Sequence, residues 1–77
     1  MKQISMAFEV KEGKVWKETY RTEDIATVYE RLAHELLNHK VFHASYYRKM
    51  EQYNNYDGTR TVIFYQNTGR SKYIIAE

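Results

Sequence analysis

Only one stretch of this chain carries a helical stripe, and it stands against five stretches that read as strands. Ile25, Val28, Tyr29, Leu32, Ala33, Leu36 and Leu37 recur at three- and four-residue spacing, the mark of an amphipathic helix. Thr22 is placed to cap its first amides. Glu23 and Asp24 suit the positive end of the helix dipole, and Asn38, His39 and Lys40 suit the negative end. The helix is therefore expected over Thr22–His39, with Glu30, Arg31, His34 and Glu35 on its solvated side. One such helix covers one face of one sheet.

The remaining segments alternate with period two. Gln3–Lys11 sets Ile4, Met6, Phe8 and Val10 against Gln3, Ser5, Ala7 and Glu9. Lys14–Tyr20 places Trp16 and Tyr20 on one face. Val41–Tyr53 alternates Phe42, Ala44 and Tyr46 with His43, Ser45 and Tyr47. Thr59–Gln66 and Arg70–Ala76 complete the set. Glu12-Gly13, Asp57-Gly58 and Thr68-Gly69 fall between strand-like runs, where glycine favours tight reversal. The expected fold is an α+β two-layer sandwich in the order β-β-α-β-β-β, with a mostly antiparallel sheet and the helix packed on one face. At 77 residues the chain is read as one domain, 1–77, with no internal repeat and no linker.

The last two strands do not fit a sheet that is half solvated. Val62-Ile63-Phe64-Tyr65 and Tyr73-Ile74-Ile75-Ala76 are apolar at both parities, as strands buried on both faces usually are. If Val62, Phe64 and Ile74 face the helix, then Ile63, Tyr65, Tyr73 and Ile75 face away, with Tyr47 and His43 beside them. That patch would approach the few hundred Å² that marks an interaction surface. The expected interface is therefore Tyr47, Ile63, Tyr65, Tyr73 and Ile75. The simplest occupant is a second copy of the chain, a dimer, with another protein as the other possibility.

Catalytic and metal chemistry find little support. His34, His39 and His43 lie close in sequence, but His34 and His39 are five apart rather than the four that one helical face requires. Glu30 and Glu35, like Glu23 and Asp24, diverge around a helix. No nucleophile elbow, phosphate loop or dinucleotide fingerprint is present, and the chain has no cysteine. The reading is of a protein without enzymatic activity, cofactor or metal. Tyr29, Leu32 and Leu36 could serve as groove-binding anchors, but they are read as core.

Charge offers a rival function. Twelve Lys and Arg against ten Asp and Glu give +2, all of it contributed by residues 41–77. Eight tyrosines interleave with cations, as in Tyr46-Tyr47-Arg48-Lys49 and Arg70-Ser71-Lys72-Tyr73. A sheet face with rings for base stacking, and Arg48, Lys49, Arg60, Arg70 and Lys72 for phosphates, would suit single-stranded nucleic acid. Duplex binding is disfavoured because the helix is acidic. Met1–Lys11 lacks the apolar run of a secretory leader, and no segment approaches the ~20 residues that span a bilayer. A cytoplasmic location without membrane attachment is expected.

Overall fold

A computed structural model describes residues 4–42 and 47–76 of the chain. Two strands, β1 (Ser5–Glu12) and β2 (Val15–Thr22), precede the helix α1 (Ile25–Phe42). Three more follow it: β3 (Tyr47–Asn54), β4 (Thr59–Gln66) and β5 (Arg70–Ala76). The strands form one antiparallel sheet in the order β2-β1-β5-β4-β3, so the last two strands occupy its middle. The helix lies across one face. The fold is the α+β two-layer sandwich that the residue pattern implies.

The helix begins later and ends later than its sequence signals suggest. Thr22 closes β2, and the cap is Asp24, whose carboxylate accepts from the Thr27 amide at 2.9 Å and the Thr27 hydroxyl at 2.6 Å. Those bonds hold the Asp24 carboxyl below the ordinary carboxylate range. At the other end the helix continues through Phe42 rather than stopping at His39. The strand expected from Val41 therefore starts at Tyr47, and the alternation read across residues 43–46 lies outside the described residues.

Register decides what faces the helix. Met6 pairs with Tyr73, and Tyr73 with Val62; Phe8 pairs with Ser71, and Ser71 with Phe64. These residues share the helix side, and with Val28, Leu32, Tyr47 and Ile75 most of them form the core. The expected parity of β5 is thus reversed. Tyr73 and Ile75 point to the helix at 1% and 5% exposure, and Ile74 points outward. Because Tyr73-Ile74-Ile75-Ala76 is apolar throughout, only pairing with β1 could choose between its faces.

A bulge between Phe8 and Glu9 shifts the β1–β2 register. It separates two aromatic residues expected on one face: Tyr20 pairs with Phe8 on the helix side, whereas Trp16 pairs with Lys11 on the outer side. Turn chemistry differs in the same way. Gly13 reverses the chain with φ at 65°, a region that L side chains other than Asn and Asp seldom enter. Gly69 serves close approach instead, since a Cβ there would lie 2.5 Å from the Glu9 carbonyl oxygen and 2.9 Å from the Phe8 ring.

The two glycines therefore respond differently to asparagine. In urea denaturation, Gly13→Asn stays within about 0.5 kcal/mol of the parent, while Gly69→Asn loses about 1–3 kcal/mol through overpacking. Equal losses at the two positions would contradict the close-approach role of Gly69.

Candidate functional site

The outer face of the sheet is covered by the chain's own side chains. Ile63 lies at its centre with only 4% exposure, between Lys72 on β5 and Glu51 on β3. The aliphatic stems of such neighbours shelter an apolar side chain while their charges stay in water. Beside it runs a chain of polar contacts. Glu9 pairs with Arg70 at 2.6 Å, Arg70 reaches the Tyr65 hydroxyl at 3.5 Å, and that hydroxyl donates to Glu51 at 3.0 Å. Lys49 closes the chain, 3.3 Å from Glu51 and 4.8 Å from the centre of the Tyr65 ring. Trp16 lies under the Arg70 guanidinium, 4.2 Å from its centre.

Each ionised group in this network has a partner. Burial works against the Arg70 charge, but Glu9 and the Tyr65 hydroxyl outweigh it and raise its pKa above the ordinary arginine value. The hydrogen bond from Tyr65, helped by Lys49, holds the Glu51 carboxyl below its usual range. At the opposite end of the same face the β3–β4 turn folds back. Asn55 donates to Thr59 and Thr61 at 2.9 Å, and Thr59 donates to Asp57. The two threonines are nearly inaccessible as a result.

The expected outer patch does not assemble. Tyr73 and Ile75 belong to the helix-side core, and Tyr47 joins them at 6% exposure. Only Ile63 and Tyr65 lie outside, the first buried and the second half-buried. His43 lies outside the described residues. Of the cations in the nucleic-acid reading, Arg60 pairs with Ile75 on the helix side, whereas Lys49, Arg70 and Lys72 share the outer face, Arg70 held by Glu9 and Lys72 flanking Ile63. Arg48 and Lys49 stay exposed at the start of β3.

On the helix side a carboxylate sits where a solvated residue was expected. Glu35 accepts from the hydroxyls of Tyr47 and Tyr73, the latter at 3.3 Å, and from Gln66 at 3.5 Å. His39 also turns inward, its ring 5.4 Å from Tyr47 and 5.8 Å from Phe64. His34 instead lines a polar cleft of about 680 Å³ between α1 and β1–β2, with Arg31 stacked 4.9 Å over Tyr20. The two histidines thus face different surroundings.

Turning Glu35 and His39 inward displaces the apolar residues that were read as core. Only Val28 and Leu32 of the helical stripe are buried. Ile25 is 58% exposed, Leu37 61%, Val41 60%, Leu36 44% and Tyr29 37%. The five-membered ridge Ile25, Tyr29, Ala33, Leu37, Val41 runs along α1 at four-residue spacing, every member exposed. Spacing alone reveals this stripe; it does not reveal which side of it meets the sheet.

Comparison with protein-family models, curated proteins and solved structures finds no match to this chain. Among the described residues, no helix is long and apolar enough to cross a membrane.

Burial, together with the charge on Glu35, pushes the Tyr73 phenol well above its ordinary pKa of about 10. A raised folded value means that this contribution to stability is complete below about pH 10 and is lost as pH rises further. Thermal unfolding should therefore shift downward between about pH 10 and pH 12, and Tyr73→Phe should flatten that decline. An alkaline decline of the same steepness in Tyr73→Phe would refute the assignment.

Proposed function

We propose that this chain is a non-catalytic interaction module that pairs with a second copy of itself through the exposed ridge of α1. The observation that carries this reading is the solvent exposure of Ile25, Tyr29, Leu36, Leu37 and Val41 on one flank of the only helix among the described residues. Burying the exposed half of several such side chains releases on the order of 1 kcal/mol each before the costs of association.

Three features favour a second copy as the occupant. The ridge follows four-residue spacing, the rows that interdigitate in the commonest helix–helix packing. Its middle member is Ala33, a small residue that lets two backbones approach closely at a twofold axis. A twofold axis there sets Tyr29 against Leu37 and Ile25 against Val41, so one surface serves both partners. The ends are complementary as well: Glu23 and Asp24 precede α1, while the exposed Lys40 lies in its last turn. Antiparallel pairing brings the basic end of one copy toward the acidic end of the other.

Light scattering at micromolar concentration should give twice the 9.3-kDa chain mass. Leu37→Glu should give the single-chain mass with an unchanged circular dichroism spectrum, because the position is exposed. A monomeric parent, or a dimer that survives Leu37→Glu and dissociates with Tyr65→Ser, would overturn the proposal.

A further inference from the structure

A second concavity lies at one end of the outer sheet face, on the layer opposite the α1 ridge. Strand β1 last pairs with β5 at Glu9 and Arg70 and then continues with β2 to the turn at Gly13. The hairpin therefore projects beyond the start of β5. The bulge at Phe8 and Glu9 adds twist to this arm. On the far side of the sheet a second irregularity, between Tyr47 and Lys49, redirects the start of β3. Between the two arms, above the β4–β5 turn, lies a cleft of about 600 Å³. That volume falls within the ~300–1,000 Å³ of small-ligand sites.

Its lining combines rings and cations. Trp16 and Tyr65 meet edge to face with centres 6.2 Å apart, and both are half-buried. Lys11 stands on one wall, and Arg48 and Lys49 on the other, with turn residues 67–69 below. Among the described residues, no carboxylate lines the cleft. Glu9 compensates Arg70 behind it, and Glu51 compensates Lys49. Lys11 and Arg48 have no acidic partner among the described residues, and both are exposed. Two uncompensated cations thus flank a pair of aromatic rings that is fixed from behind by the Glu9–Arg70 pair.

We propose that this cleft binds a nucleotide, with the phosphate held between Lys11 and Arg48 and the base against Trp16 and Tyr65. A phosphate satisfies cations that lack a carboxylate partner, Lys11 lying 5.7 Å from the centre of the Trp16 ring, and arginine offers it a bidentate fork. A planar base supplies contact area against the rings, and neighbouring cations strengthen such stacking. The same chemistry is presented by a free mononucleotide and by one residue of a single strand. The site is independent of self-association, since its residues lie on the other face of the sheet.

Trp16 is the only tryptophan, so its fluorescence reports on this cleft alone. The full chain is titrated with adenosine monophosphate, inorganic phosphate, a short oligodeoxyadenylate and a phosphoserine peptide. Adenosine monophosphate or the oligonucleotide should change the Trp16 emission saturably, and more tightly than inorganic phosphate does. Arg48→Gln and Lys11→Gln should each weaken that binding about tenfold or more, the loss expected of a charge-assisted contact. Oligonucleotide binding with a salt slope near −0.7 per phosphate contact, tighter than the mononucleotide, would assign the ligand to a single strand. Equal affinity would assign it to a free nucleotide. The proposal is overturned if no nucleotide alters Trp16 emission, if inorganic phosphate or the phosphopeptide binds at least as tightly, or if both variants bind like the parent.

Discussion

A sheet has two faces, and the described residues supply one helix to set against them. The structure resolves that shortage chiefly through the ion pair between Glu9 and Arg70. It ties β1 to β5 across the outer face, fixes the guanidinium over Trp16 and hands a hydrogen bond to Tyr65, which passes one on to Glu51. With both side chains less than one-fifth exposed, the pair is screened far less than a surface ion pair, and removing one partner would strand the other. Ile63 is enclosed beside this network without a second layer of secondary structure. The outer face is thus an arrangement of long polar and aromatic side chains lying over a narrow apolar centre.

Sealing the outer face internally moves the question of partners to the helix. Sheet residues Tyr47, Tyr73 and Gln66 present hydroxyl and amide donors to α1, and these are met by Glu35. A buried phenol with no acceptor would be costly, so the helix is rotated to satisfy two of them. The rotation brings Glu35 and His39 inward beside Val28 and Leu32, and it turns Ile25, Leu37 and Val41 toward solvent. Polar satisfaction in the core thereby produces the exposed apolar ridge. Structure and proposed function meet in that trade.

Element order was legible because it rests on local signals: two clean alternations, one long helical stripe and three glycine-bearing turns. Facing was less legible, for reasons that particular residues make plain. Tyr73-Ile74-Ile75 is equally apolar on both sides, so its parity depends on pairing with Met6, a partner more than sixty positions away. Trp16 and Tyr20 share a parity, but the bulge opposite them exchanges one face for the other. Glu35 reads as solvated on any hydropathy scale, since its acceptors' worth comes from tyrosines in distant strands. The expected interface failed on these counts at Tyr47, Tyr73 and Ile75. The cleft around Trp16 was missed because Lys11 and Arg48, far apart in sequence, line it from opposite arms of the sheet. Tyrosine interleaved with Arg and Lys was the one sequence signal that pointed toward it.

The proposed pairing requires a sheet face sealed by its own chain and a helix ridge open to a second copy. Methyl-resolved NMR over a concentration series addresses both halves at once. Methyl signals of Ile25, Leu36, Leu37 and Val41 should move with protein concentration, while those of Ile63 and Ile74 stay fixed. Concentration-dependent shifts at Ile63 and Ile74, with the helix signals unmoved, would contradict the proposed pairing.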